Sequence, residues 1–211
     1  MENLMSFHNM HFNDRENNSR IETRDIIQVL LERNIVSNPR ETIKQVDIDG
    51  TDYILDYEEY TDVPIQFKLR KDKWKDIPVC RFQPFRGQEE STIGRDYKSL
   101  KAKKNKLYFV ASMNEEKKYS HVSITNTDKI LDLIDEAEKE WFPELLTSDH
   151  WSYFNSRIYN DLLDKKTWNK KLKTSTNGVE AWFKKNYKEN YGKINYYIPS
   201  KLADKCVKII S

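Results

Sequence analysis

Apolar and polar positions along the chain fall into readable periods. Thr127–Trp141 sets Ile130, Leu131, Leu133, Ile134 and Ala137 on one side at helical spacing, and Pro143 follows. That pattern predicts an amphipathic helix. Ser19, with Glu22 three residues on, reads as a capping box ahead of Ile21, Ile26, Ile27, Leu30 and Leu31. The helix it opens should end near Asn34, before Ser37-Asn38-Pro39. Pro64–Arg70 alternates strictly, with Ile65, Phe67 and Leu69 on one face and Gln66, Lys68 and Arg70 on the other. A half-buried strand with a polar working face has this form. Thr42–Ile48 and Asp52–Tyr57 read as two strands before it, joined at Gly50-Thr51. Ile77–Phe85 reads as a fourth strand, which Pro78 and Pro84 confine to an edge.

Ser91–Lys103 fits a helix, Lys106–Ser112 a buried strand and His121–Ile124 a short one. Beyond Pro143, helical pieces are expected at Trp151–Leu163, Val179–Tyr187 and Leu202–Ile210, around a polar loop at Lys173–Gly178. The predicted architecture is an α/β fold: a mixed sheet flanked by helices, then an aromatic and basic helical extension. Its divisions are a flexible N-terminus over residues 1–18, a core over 19–142 and an extension over 143–211.

Composition narrows the class of protein. The 211 residues are 37% hydrophobic and 33% charged, which suits a globular protein with a heavily charged surface. No apolar run is long enough to predict a membrane span, and residues 1–18 lack the form of a signal peptide. Two cysteines, Cys80 and Cys206, build neither a disulfide framework nor a zinc site, so a reducing, cytoplasmic setting is expected. The net charge of +2 hides strong segregation: residues 1–65 carry −8, 66–110 carry +8, 111–146 carry −5 and 147–211 carry +7. Two basic blocks on a nearly neutral chain point to a polyanionic partner.

The chemistry converges on one hairpin. Asp52 opens the second strand, and pairing that strand with 64–69 sets Asp52 opposite about residue 69, near Lys68. Phosphodiester hydrolysis needs a divalent cation, a water nucleophile and a positive group for the developing charge. Asp52 offers a carboxylate oxygen to Mg²⁺ or Mn²⁺, Gln66 an amide oxygen and Phe67 its backbone carbonyl. Glu22 is the candidate supplementary acid, and Lys68 the group that orients water and stabilises charge. Arg70, Lys71, Lys73, Arg81, Arg86, Arg95, Lys98 and Lys101 would hold the sugar-phosphate backbone. In the tail, Trp151, Trp168 and Trp182 stand among lysines in a pattern that suits base stacking or a small helical core.

The segment Gly50–Arg70, GTDYILDYEEYTDVPIQFKLR, resembles the active-site hairpin of the PD-(D/E)xK nuclease superfamily, which includes restriction endonucleases, Holliday-junction resolvases and Mrr-like enzymes. The resemblance implies an αβββαβ core, Asp52 as the first metal acid and Lys68 as the family lysine. Gln66 stands where most members carry Glu or Asp, a departure shared by a Gln-x-Lys subset resembling Mrr. It implies a metal-dependent endonuclease acting on DNA ahead of RNA, with a homodimer plausible for cutting two strands. Two other readings remain. One is a nuclease-like fold without activity, serving nucleic-acid binding or anti-defence interaction. The other is a haloacid-dehalogenase-like phosphatase using Asp47 and Asp49 of the DIDGT string, although the strand before it is too polar.

Overall fold

The computed structural model describes residues 3–42, 51–70, 76–84, 91–116, 118–146, 149–150, 152–154, 169–185 and 192–209. The chain divides into two units, each gathered from separated stretches. Met1–Trp74, Leu107–Ile124 and Cys206–Ser211 form the first, and Lys75–Lys106 with Thr125–Lys205 the second. The fold is mixed α/β, as expected. The division expected after residue 142 falls inside the second unit.

The first unit opens with α1 (Asn3–Glu32), a helix of 30 residues that runs through the stretch expected to be loose. Ser19 is therefore interior to the helix, and its carbonyl accepts the Thr23 hydroxyl at 2.8 Å. The C-terminus ends where the sequence predicts. Asn34 takes φ 55°, while Asn34 N–H bonds Leu31 C=O and Ile35 N–H bonds Leu30 C=O, the two bonds of a Schellman motif.

Six strands form the sheet of this unit: β1 (Ser37–Glu41), β2 (Tyr53–Tyr57), β3 (Tyr60–Arg70), β6 (Leu107–Met113), β7 (Tyr119–Asn126) and β11 (Lys205–Lys208), in the order β1-β2-β3-β6-β7-β11. β1 to β3 are antiparallel neighbours, and β3 runs parallel to β6. The first strand thus comes from the expected break. β1 is an edge strand with an irregular register between Ser37 and Arg40, which lets Pro39 dispense with a ladder donor. The strand expected over residues 42–48 lies outside the described residues beyond Thr42. Ile26, Ile27 and Leu30 of α1 bury against Tyr53, Leu55, Ile65, Phe67 and Phe109. Arg33 at the helix end donates to the carbonyls of Lys208 and Ile209, fastening the C-terminal strand.

The second unit is built on an antiparallel sheet in the order β5-β4-β10-β9-β8: β4 (Ile77–Pro84), β5 (Ser91–Ile93), β8 (Asn169–Thr174), β9 (Glu180–Lys185) and β10 (Gly192–Ile198). β4 is interior, contrary to expectation. Pro78 is tolerated because β5 accompanies only Phe82 to Pro84, leaving the flank beside Pro78 without a ladder partner in β5. Two helices belong to this unit, α2 (Arg95–Lys101) and α3 (Thr127–Trp141), the second with its predicted bounds. Asn126 caps α3 by accepting the Asp128 N–H.

The tail corrects the sequence reading. Val179, Ala181 and Phe183 are buried while Glu180, Trp182 and Lys184 are half-exposed, a period of two rather than 3.6. Asn177-Gly178, with Gly178 at φ 86°, turns β8 into β9. In place of the expected helix over 202–210 there is a 3₁₀ turn at Ser200–Leu202 and then β11. Only His150 and Ser152–Phe154 of the expected helix over 151–163 and its border are described, and those are helical. The extension is therefore largely a sheet.

Candidate active site and a buried ion pair

Asp52 sits where β2 begins. Its N–H donates to Ile65 C=O at 2.9 Å, and its own carbonyl accepts the N–H of Thr42 at 3.2 Å. The register pairs Tyr53 with Ile65, so Asp52 lies level with residues 65 and 66 rather than 69. Its carboxylate nevertheless reaches further along β3: Oδ2 accepts the N–H of Phe67 at 2.5 Å. That oxygen takes the place of the next ladder carbonyl, between Gln66 and Lys68. A strand residue presents N–H and C=O to the same neighbour, so the Phe67 carbonyl faces this edge too.

Alternation along β3 sends Ile65 and Phe67 into the core shared with α1 and sends Gln66 and Lys68 to the other face. In the parallel register Gln66 lies beside Tyr108 and Lys68 beside Val110, both fully buried. Gln66 is 3% exposed. Its Oε1 has no hydrogen-bond partner. Buried amide oxygens are almost always bonded, so this one is conspicuous. Lys68 is half-buried.

Glu22 is held elsewhere. Its carboxylate accepts the Tyr119 hydroxyl at 3.0 Å, on the α1 side of the sheet, where Tyr119 packs against the core. Burial raises the Tyr119 pKa, and the Glu22 carboxylate raises it further. An acid that sequence reasoning missed, Glu41, stands beside Tyr53 in the β1–β2 register and is bound by Arg24 at 2.5 Å. Burial first, and Glu41 next, push the Tyr53 phenol up to about 12. Among the described residues no group of three or more His, Cys, Asp or Glu could hold a metal ion. A cation at this hairpin would rest on one carboxylate and neutral oxygens.

No family model, curated protein or solved structure matches this chain. Its chemistry is therefore read from its own residues.

The proposed phosphate contacts divide. Arg70 closes β3 and is half-buried, and Lys98 is exposed on α2. Lys101 lies 3.6 Å from Asp135 and over the Tyr97 ring. Arg95 opens α2. Lys71, Lys73 and Arg86 lie outside the described residues, as do Asp47 and Asp49. Arg81 requires a correction, because it is 1% exposed. Its Nε and Nη2 donate to the two oxygens of Glu138 at 2.6 and 3.2 Å. Phe82 and Tyr97 cover the guanidinium at 4.2 and 4.0 Å. A guanidinium so enclosed cannot reach a phosphate without breaking its pair.

The cluster around Glu138 is complete in its acceptor. Tyr196 donates to Oε1 at 3.0 Å, and His150 Nδ1 lies 3.5 Å from Oε2. Burial opposes the Arg81 charge, but Glu138 outweighs it and the Arg81 pKa is raised. Burial also lifts the Tyr196 hydroxyl well above its ordinary value and lowers the His150 imidazole. Gly94 permits the close packing of α2 on β4: a Cβ there would stand 2.1 Å from Cys80 O. The sequence held a signal for Glu138, since it continues the inward row Ile130, Ile134 at helical spacing. His150 carried none.

Proposed function

We propose that this chain is a divalent-metal-dependent endonuclease, with Asp52, Gln66 and Lys68 at its centre and DNA rather than RNA as substrate. One observation carries the reading: the Asp52 carboxylate lies on the Phe67 N–H, between Gln66 and Lys68, beside a buried Gln66 Oε1 that no group in the protein satisfies. Support for a restriction-endonuclease-like core comes from the element order. Helix α1, strands β1 to β3, helix α2 and strand β6 follow the αβββαβ succession, with β4 and β5 as additions.

The donor set fits Mg²⁺ or Mn²⁺, which favour hard oxygens and retain several waters. Asp52, Gln66 Oε1 and the Phe67 carbonyl would hold the ion. Bound there, it supplies Lewis acidity toward a phosphate oxygen and an acidified water. Lys68 places an ammonium beside the scissile phosphate, orients the attacking water and offsets the developing charge. The Phe67 N–H fixes one Asp52 oxygen, so the carboxylate is oriented before any ligand arrives. Glu22 would join only by leaving Tyr119.

A second reading has its own observation. The lack of a three-acid group among the described residues favours a nuclease-like protein that binds nucleic acid without cutting it. Plasmid cleavage in Mg²⁺ or Mn²⁺ by the purified chain separates the two. Asp52→Ala and Lys68→Ala should each lower the rate by about a thousandfold or more, a loss typical of a group that acts in the transition state. Both variants should melt within a few degrees of the parent. Equal cleavage by all three proteins would refute the assignment, and DNA binding without cleavage would establish the second reading.

A further inference from the structure

The second unit contains a cleft of about 740 Å³ that the endonuclease reading does not use. Its size suits a small organic ligand. Phe82, Phe142, Ile93 and Leu145 line it with apolar surface, and Ile93 and Leu145 are exposed there to an extent unusual for large apolar side chains.

Charge inside the cleft is mostly cancelled. Arg81 is paired with Glu138, and Lys101 with Asp135. Lys139 also lines the cleft and has no ion-pair partner among the described residues. The lining therefore carries one uncompensated positive charge, which favours an anionic group.

A second, independent feature is His150. Its ring is 4% exposed, stacks on Phe142 with centroids 4.4 Å apart and lines the cleft. Its Nδ1 makes no hydrogen bond within the protein. The nearest acceptor, Glu138 Oε2, is 3.5 Å away and already serves Arg81. A buried imidazole nitrogen left without a partner, in a ring held rigid by stacking, is a position made for a ligand atom.

We propose that this cleft binds a nucleotide, with the base against the aromatic wall, the base edge on His150 Nδ1 and the phosphate at Lys139. An aromatic lining suits a planar ring, one free cation suits one phosphate, and the volume exceeds what a simple aromatic acid would fill. The ligand is a free nucleotide or a nucleotide unit at the end of a single strand. The proposal stands on residues of the second unit alone and does not depend on the hairpin of the first.

The test is calorimetric titration of the full chain with deoxyadenosine 5′-monophosphate, and in parallel with deoxyadenosine, inorganic phosphate and benzoate. Saturable binding of the nucleotide, about tenfold or more tighter than any of the other three, is expected, because base and phosphate each add a contact. Lys139→Glu, a change at an exposed position, should weaken it by about tenfold, the loss of one charge-assisted contact. His150→Gln should weaken it as well. If that variant melts early, the Lys139→Glu result decides alone. Asp52→Ala should leave the titration unchanged, so failure here and failure of the endonuclease reading are distinguishable. Competition by a 5′-phosphorylated oligonucleotide assigns the site to strand ends, and its absence assigns it to free nucleotides. No saturable binding, equal binding of benzoate or phosphate, or indifference to Lys139→Glu would overturn the proposal.

Discussion

Two buried polar groups, one in each unit, meet desolvation differently. Glu138 accepts from Arg81 twice and from Tyr196 once, and the pair it forms is sealed by the Phe82 and Tyr97 rings. Gln66 is nearly as buried, yet its amide oxygen has nothing to accept from. The first arrangement recovers within the protein what burial removes. The second leaves a desolvation cost standing, which a folded chain retains only where something outside the protein is to be bound. A charged residue in the interior is thus a poor guide to function, and an incompletely bonded one is a better guide.

The comparison can be broken first at Glu138. Glu138→Gln leaves Arg81 buried and uncompensated, and should lower stability by about 3–5 kcal/mol in urea unfolding. Replacing both partners, Arg81→Met with Glu138→Leu, should cost clearly less than the two single changes added together. A Glu138→Gln protein as stable as the parent would show that the pair is not what secures this unit.

Gln66 should respond in the opposite direction. Gln66→Met removes the unsatisfied oxygen at nearly constant volume and should raise stability by about 1 kcal/mol while abolishing cleavage. Gln66→Glu should keep or raise cleavage through tighter metal binding. Loss of stability in Gln66→Met would mean that the amide is satisfied after all.

The smallest effect concerns pH. Burial lowers the His150 pKa in the folded protein, so the unfolded chain takes up its proton first as pH falls. The contribution of neutral His150 is complete above the unfolded value of about 6.5 and is lost as pH drops through the folded one. Unfolding free energy between pH 8 and 5 should therefore decline on the acid side, and His150→Gln should flatten that decline. An unchanged slope in the variant would assign the acid sensitivity to other groups.

The legible parts of the chain were those governed by local pattern. The bounds of α3, the end of α1 at Asn34 and the alternation of β3 all follow from spacing and capping chemistry. The tail was misread because Val179–Lys185 is short and lysine-rich, so its period-two pattern competes with a helical one. The signal that settles it, Asn177-Gly178, is a two-residue turn. Glu22 failed as a capping residue because α1 continues through Ser19 to Asn3, and nothing in four residues of sequence records what precedes them.

By itself, the sequence determined which side chains alternate on β3, and so that Gln66 and Lys68 share a face opposite Ile65 and Phe67. It also determined that acidic and basic groups would be segregated along the chain. Tertiary structure alone decided that Asp52 reaches the Phe67 N–H, that Glu22 is engaged by Tyr119 and that Arg81 is sealed against Glu138. Side-chain period is a property of neighbouring residues and is written locally. Whether a buried oxygen or nitrogen finds a partner depends on groups tens of residues distant, and only the folded chain brings those within reach.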